Sequence, residues 1–442
     1  MKRITGILLA VLIMVCPALN AAALIENDEI ENGFYSDCIL LKCIDNGEII
    51  FDKNSTKQTK PASLTKVITA SIILEECSDF SEQMIVPEEC IRELDGTGSS
   101  LSGLKGGEIL SVYDLLCCLL VQSANDAATT LAYWSTGADR QAFVDKMNAL
   151  AEELGCKDSH FVNVHGLDDE DQYVSCADMA VFFENVLKYP VFTEIASKIS
   201  YELPETNMQG ARTIRSTNFT LMPGYKDYYC KYEVAGKTGT TSGAGSCLVS
   251  KASNDGYNYI AVAMNAPKED LDGDNVDENG AFVDTQTMYD WAFKNLRLVP
   301  IANTETIVGE VPVRYGKGTD HVSLSPAENS YSLMPRGIEM DSLLIQVDVE
   351  SAPAHVTAPV SKGDKICKGK VLYKAETVRE IDLVASSDVR RSFASVFGTT
   401  VAEVFESPAF KLVAVVIGFA LAAIVALRVR SYLNRRKKEG KN

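Results

Sequence analysis

The chain has 442 residues, 46% of them hydrophobic, and 60 acidic side chains outnumber 42 basic ones to leave a net charge of −18. That length leads to an expectation of two or three domains. An acidic exterior excludes nucleic acid as a partner, because phosphates require a basic surface.

Met1 to Ala23 combines a basic start (Lys2, Arg3), an apolar run from Ile7 to Val15 and the small residues Ala21-Ala22-Ala23. This predicts a cleaved secretory signal over 1–23. From Phe34 to Leu298 the pattern is mixed α/β. Strands are predicted at Cys38 to Ile44 and Glu48 to Phe51 around the turn Asp45-Asn46-Gly47. A helix starts near Ser63 and runs through Ile72, Ile73 and Leu74, and another covers Val112 to about Tyr133. Phe143, Met147, Leu150 and Leu154 repeat at helical spacing, with Gly155 as the stop. Ser175 with Asp178 three residues on reads as a helix N-terminal cap, and Pro190 is expected to close that helix. Tyr232 to Gly236 reads as a strand leading into Lys237. Ser246 to Ser250 is expected to pair with Tyr257 to Met264 through Asn254-Asp255-Gly256, and Asp284 to Leu298 reads as a closing helix.

Beyond Val299 short alternating segments separated by Gly and Pro turns predict an all-β module over 299–388. Over 389–408 the apolar residues Phe393, Val396, Phe397, Val401, Val404 and Phe405 share one helical face, as in an amphipathic linker at a membrane surface. Leu412 to Leu427 is uninterruptedly apolar, which predicts a transmembrane helix over 409–429. The tail 430–442 carries Arg430, Arg435, Arg436, Lys437, Lys438 and Lys441 against one acid, Glu439, and basic flanks mark the cytoplasmic side. Signal and stop together predict a body outside the membrane and a C-terminus inside.

Of the twelve cysteines, removal of Cys16 with the signal leaves eleven, an odd number. Cys117-Cys118 lie in an apolar helical stretch, and most cysteines read as small buried residues, leaving room for one or two bridges. No Cys-x-x-Cys occurs, and His160, His165, His321 and His355 are scattered, so no metal or other cofactor is expected. Asp272-Gly273-Asp274-Asn275-Val276-Asp277-Glu278 looks calcium-like, but Val276 and Asp277 occupy the fifth and sixth positions, where an EF-hand has an oxygen ligand and glycine. It reads as a solvated acidic loop.

Three short segments carry chemistry: Ser63-Leu64-Thr65-Lys66, Ser123-Ala124-Asn125 and Lys237-Thr238-Gly239. Ser-x-x-Lys alone would arise about once or twice by chance in such a chain. Followed by Ser-x-Asn and Lys-Thr-Gly in this order, it marks serine acyl-enzymes that open amide or β-lactam carbonyls. Lys66, one turn along from Ser63, shares its helix face. It becomes a base if burial and a neighbouring cation such as Lys237 keep its amine neutral. Ser123 and Asn125 fall in a helix-to-loop setting after the apolar run Leu115 to Val121, where Ser123 can relay a proton to the leaving amine and Asn125 can bind the substrate amide or hold Lys66. Lys237 with the hydroxyls of Thr238 and Thr240 suits a substrate carboxylate, while Gly239 admits a second backbone. The backbone N–H groups of Ser63 and Thr240 are the expected oxyanion hole. Each piece alone has an ordinary reading as a helix cap, a turn or a solvated lysine; the ordered set does not.

With these residues the chain resembles the D-alanyl-D-alanine carboxypeptidases, low-molecular-mass penicillin-binding proteins of peptidase family S11. The likeness runs from about Phe34 to Ala385, strongest in Pro61 to Lys66, Leu119 to Ala128 and Gly236 to Thr241, and includes Phe161 to Leu167. It implies an α+β fold: a β-lactamase/DD-peptidase-like catalytic domain over 34–298, with an antiparallel sheet flanked by helices, then a C-terminal all-β domain and a membrane attachment. It also implies removal of the terminal D-alanine from peptidoglycan pentapeptide stems through acyl-Ser63, with β-lactams as covalent inhibitors. Members often carry an arginine before the helix that closes the catalytic domain, and Ala281 falls there in this chain. Rival readings are a DD-endopeptidase or transpeptidase on the same peptides, a β-lactamase, and a non-catalytic wall-binding scaffold. A β-lactamase needs a glutamate-activated water. Asp168-Asp169-Glu170-Asp171 is the nearby candidate and lacks the required Glu-x-x-x-Asn pattern.

Overall fold

The computed structural model of the chain describes residues 33–271, 277–393, 397 and 405–439. The expected signal over 1–23, Asp272 to Val276 of the acidic loop and half of the amphipathic linker lie outside the described residues. The fold divides into two units. The first runs to Val299 and takes in Tyr331–Met340; the second comprises Pro300–Ser330 and the chain from Asp341 onward.

The first unit is built on a five-stranded antiparallel sheet of Cys38–Cys43 (β1), Ile49–Lys53 (β2), Glu233–Thr241 (β3), Gly245–Asn254 (β4) and Tyr257–Ala266 (β5). Their spatial order is β2-β1-β5-β4-β3. Both faces are covered, which is why β1 and β5 read as nearly continuous apolar runs. Side chains alternate across a strand, so Cys38 and Leu40 enter one core while Ile39, Leu41 and Cys43 enter the other. On β5, Ile260, Val262 and Met264 face the first core and Tyr259, Ala261 and Ala263 the second. Each fully buried Ile, Val or Met contributes roughly 1.5–3 kcal/mol. The β4–β5 hairpin turns at Asp255 (φ 50°) and Gly256 (φ 84°), the pair of positive φ values that a two-residue hairpin prefers.

The helices on the first face are Thr65–Glu76 (α1), Val112–Leu120 (α2), Asn125–Thr136 (α3), Arg140–Glu153 (α4) and Cys176–Val186 (α5). Helix α1 runs through the middle of this core, with every residue from Thr65 to Leu74 buried. Ser175 caps α5 by accepting the Asp178 N–H at 3.1 Å. Gly280–Asn295 (α6) covers the opposite face with Phe282, Met288, Tyr289 and Phe293. Tyr331–Met340 is tied to this unit through Glu48, which accepts from Ser332 Oγ at 2.5 Å and Leu333 N at 2.9 Å.

Three boundaries differ from the sequence expectation. The single helix expected from Val112 to Tyr133 is broken into α2 and α3, because Ser123 adopts φ 63° between them. Pro190 does not close α5; it opens a further short helix, Pro190–Ala196, at whose first turn a missing N–H costs nothing. The closing helix begins at Gly280 rather than Asp284, because Asn279 caps it by accepting the N–H groups of Ala281 and Phe282.

In the second unit Gly309–Arg314 (β6), His321–Pro326 (β7), Leu343–Val347 (β8), Val356–Thr357 (β9), Lys365–Tyr373 (β10) and Glu376–Ala385 (β11) form one sheet. The order is β8-β10-β11-β7-β6-β9. Val313, Val322, Ala358, Val360 and Ala385 form a small core on it. Pro408–Glu439 is one helix (α7), and its portion Pro408–Ser431 has a mean hydropathy of 2.7 with none of it buried. At about 1.5 Å per residue those 24 residues are long and apolar enough to cross a membrane.

Candidate active site

Ser63 sits in a single 3₁₀ turn, Ala62–Leu64, that leads directly into α1. Ala62 before it is held at φ 46°. Such backbone costs roughly 1–3 kcal/mol and persists where surrounding contacts enforce it. Here the enforcing neighbours are β3 and the 161–167 segment. A Cβ on Gly239 would come within 3.0 Å of Ser63 N and 3.1 Å of Pro61 O, so the strand passes close beside the serine. A Cβ on Gly166 would lie 1.8 Å from Ala62 O, and Gly166 itself has φ 94°.

Lys66 is fully buried and its Nζ is 2.8 Å from Ser63 Oγ, 2.6 Å from Asn125 Oδ1 and 2.7 Å from His165 O. The two carbonyl oxygens can only accept, so they take two amine hydrogens. A neutral amine then has its lone pair left for the Ser63 hydroxyl hydrogen. Burial, reinforced by the nearby Lys237 charge, holds Lys66 well below the ordinary lysine range. Lys237 lies beneath the cleft surface with Nζ 2.8 Å from Ser123 Oγ and 2.7 Å from Thr238 O, and burial brings it down to about 7. Ser123 accepts from Lys237, which leaves its own hydrogen free to point toward the cleft.

These groups border an open cleft of about 630 Å³ whose lining includes Ser63, Ser123, Asn125, Thr238, Gly239 and Thr240. All three motifs therefore meet at one place, and every residue singled out in them is present there. The side chain of Lys237 reaches the cleft only through Ser123. Ala281, the position aligned with the expected arginine, is fully buried in the first turn of α6. The cation on the cleft wall is Lys268, which is exposed and makes no ion pair among the described residues. Asp168 also lines the cleft, but its carboxylate is held by Thr241 Oγ1 (2.6 Å) and Gly243 N (2.9 Å).

Several supporting residues were not legible as such. The His165 carbonyl is an acceptor for Lys66, whereas the sequence marks only the segment around it. Burial takes the His165 imidazole down to about 3, and its Nδ1 accepts the Leu167 N–H rather than facing Ser63. Gln172 fixes the segment by accepting from Val162 N and Asn163 N at 3.0 and 2.9 Å. Asp126 accepts from Ser102 N and Leu104 N and so holds the loop whose Ser99 and Ser100 line the cleft. The pair His165-Gly166 carries a usable signal, since a glycine at a turn marks a close backbone approach; Gln172 carries none. Gly166→Ala is expected to displace Ala62 and the His165 carbonyl together. That should slow penicillin labelling at least about tenfold and cost roughly 1–3 kcal/mol of stability; labelling at the wild-type rate would show that the turn tolerates a side chain.

The D-alanyl-D-alanine carboxypeptidase family pattern (peptidase S11) matches residues 31–268. The chain belongs to that family. A second pattern, the C-terminal domain of penicillin-binding protein 5, matches residues 297–391. The chain is 27% identical over 352 residues to D-alanyl-D-alanine carboxypeptidase DacF of Bacillus subtilis, covering 79% of this chain and 84% of that protein. Among solved structures, penicillin-binding protein 5 of Haemophilus influenzae superposes with a TM-score of 0.65 at 24% identity, over 81% of this chain and 98% of its own. Penicillin-binding protein 6B of Escherichia coli does so with a TM-score of 0.60 at 25% identity, over 80% and 96%. The fold of this DD-carboxypeptidase is thus the penicillin-binding-protein fold, with a β-rich C-terminal domain.

Proposed function

We propose that this serine DD-carboxypeptidase removes the terminal D-alanine of peptidoglycan stem peptides through an acyl-Ser63 intermediate, with Lys66 as the base. The observation that carries the assignment is the Lys66 amine, enclosed by two obligate acceptors and Ser63 Oγ. Ser63 Oγ forms a bond to the penultimate D-alanine carbonyl carbon as its proton passes to Lys66. The resulting oxyanion is taken by the N–H groups of Ser63 and Thr240. The C–N bond then breaks, the departing D-alanine amine receives a proton through Ser123, and water releases the acyl group. A β-lactam carbonyl enters the same geometry, but the cleaved amine stays tethered within the acyl group, so Ser63 remains occupied.

The departing D-alanine carries a carboxylate. The hydroxyls of Thr238 and Thr240 supply its hydrogen bonds, Lys237 supplies positive potential from below, and Lys268 supplies a cation from the rim in place of the absent arginine. Lys268→Ala is therefore expected to raise KM for a D-Ala-D-Ala peptide about tenfold with kcat within about twofold; an unaltered KM would remove Lys268 from the site. The helix α7 with its basic tail fits a body on the extracytoplasmic side and a cytoplasmic C-terminus.

The deciding experiment is incubation of the protein with diacetyl-L-Lys-D-Ala-D-Ala while free D-alanine is followed. Release that depends on Ser63 supports carboxypeptidation. Penicillin labelling without release points to transfer onto an amine or to endopeptidase cleavage. Loss of both would leave a wall-binding role.

A further inference from the structure

Glu233 stands at the start of β3, four residues before Lys237. Part of the residue reaches the surface, while its carboxyl is enclosed. Oε1 accepts from Asn218 Nδ2 at 2.6 Å, and Oε2 is 2.6 Å from Thr220 Oγ1. Thr220 Oγ1 is also 2.5 Å from Asn218 Oδ1. The Thr220 backbone N–H donates to that same Oδ1 at 3.2 Å, which fixes the direction of the amide.

The hydrogens can be counted. A threonine hydroxyl has one. With an ionised Glu233, the Thr220 hydrogen serves either Glu233 or Asn218, and the other short oxygen–oxygen contact holds none. With a proton on Oε2, every contact is filled: Glu233 donates to Thr220, Thr220 to Asn218 Oδ1, and Asn218 Nδ2 back to Glu233. Ser250 on β4 is a third hydrogen-bonding neighbour of the carboxyl and favours its ionised form, against the larger effect of burial, and Tyr289 on α6 and Cys230 also face it; all three are uncharged. Among the described residues no cation is a cause of its shift. Burial accordingly pushes the carboxyl up to about 7.

The neighbours of the ring residues form the cleft. Thr217 and Phe219 alternate in sequence with Asn218 and Thr220 and line the wall, and Thr217 Oγ1 is 2.5 Å from Thr238 Oγ1. We propose that Glu233 is carried as a neutral carboxylic acid whose proton closes a hydrogen-bonded ring with Thr220 and Asn218, and that this ring positions the Thr217–Phe219 wall of the cleft. The part concerning the wall rests on the acyl-serine reading above; the protonation does not.

An unfolded glutamate ionises near ~4.3. Between there and the native value the folded chain holds a proton that the unfolded chain has lost, so stability falls as pH rises through that interval. Glu233→Gln has no proton to lose and keeps the ring, its amide donating to Thr220 and its oxygen accepting from Asn218. The test uses the full-length protein in detergent. The Tm of E233Q minus that of wild type is expected to grow by about 3 °C or more from pH 5 to pH 8; a constant difference would overturn the protonation. Should E233Q fail to fold, isotope-edited infrared spectra of wild type labelled with ¹³C-glutamate replace it. A protonated-carboxyl band at pH 6 that fades by pH 9 supports the ring, and its absence at pH 6 overturns it. For the wall, Glu233→Ala should slow penicillin acylation about tenfold, and Gln should restore most of the rate. Equal rates for alanine and wild type would remove the positioning role, whereas an unlabelled wild type with an intact Tm difference would refute the acyl-serine reading alone.

Discussion

Replacing Ser63 by alanine is expected to abolish both covalent penicillin labelling and D-alanine release, to below ~10⁻³ of the wild-type rate. No other hydroxyl can stand in for it. Ser123 Oγ is engaged by Lys237 and Thr238 Oγ1 by Thr217 Oγ1, and the partners of the Lys66 amine are Ser63, Asn125 and the His165 carbonyl rather than either threonine. The substitution removes one hydrogen bond, worth about 0.5–1.5 kcal/mol net, from a buried lysine that keeps two others. The fold should therefore survive with a small drop in Tm. Labelled S63A protein, digested and mapped to another residue, would refute Ser63 as the nucleophile.

The second large effect concerns the base. Lys66→Ala leaves the serine in place but removes the group that takes its proton, and acylation by a β-lactam should slow by about 10²–10⁴-fold, the usual range for a positioned acid or base. The sign of the pH dependence follows from the geometry. The proposed role needs the neutral amine of Lys66, and burial with the Lys237 charge holds its pKa well below the ordinary lysine range. The wild-type rate should therefore fall as the medium is acidified and Lys66 gains a proton. K66A should lack that limb of the profile. An equal acylation rate in K66A, or an acid limb that persists in it, would place the base elsewhere.

Much of this arrangement was readable from residue order because helices and strands bring fixed spacings to fixed faces. Ser63, in the 3₁₀ turn that leads into α1, lies one turn before Lys66 on α1, and Lys237 to Gly239 sit on an edge strand, as alternation and turn signals imply. The helix-to-loop setting of Ser123 was readable, but the start of a second helix at Asn125 was not. The apolar run ends at Val121, and the positive φ of Ser123 between α2 and α3 is marked by neither a glycine nor a proline. Likewise Gln172, the His165 carbonyl and the Glu233 ring act through atoms that local patterns do not distinguish, since backbone carbonyls and solitary polar residues look alike along the chain. Capped by Asn279, α6 starts at Gly280, four residues before the expected Asp284.

The cysteines lead to a different consequence. All eleven described cysteines are buried and unbridged. Burial raises every one of them above its ordinary value. Oxidation and thiol exchange proceed through the exposed thiolate, so the native protein offers almost nothing to an oxidant. The hazard lies in the time before folding is complete, when all these thiols are accessible at once and any two can pair. Maturation in an oxidising medium is then a race between collapse of the core and mispairing, and the molecules that win it need no reductant afterwards.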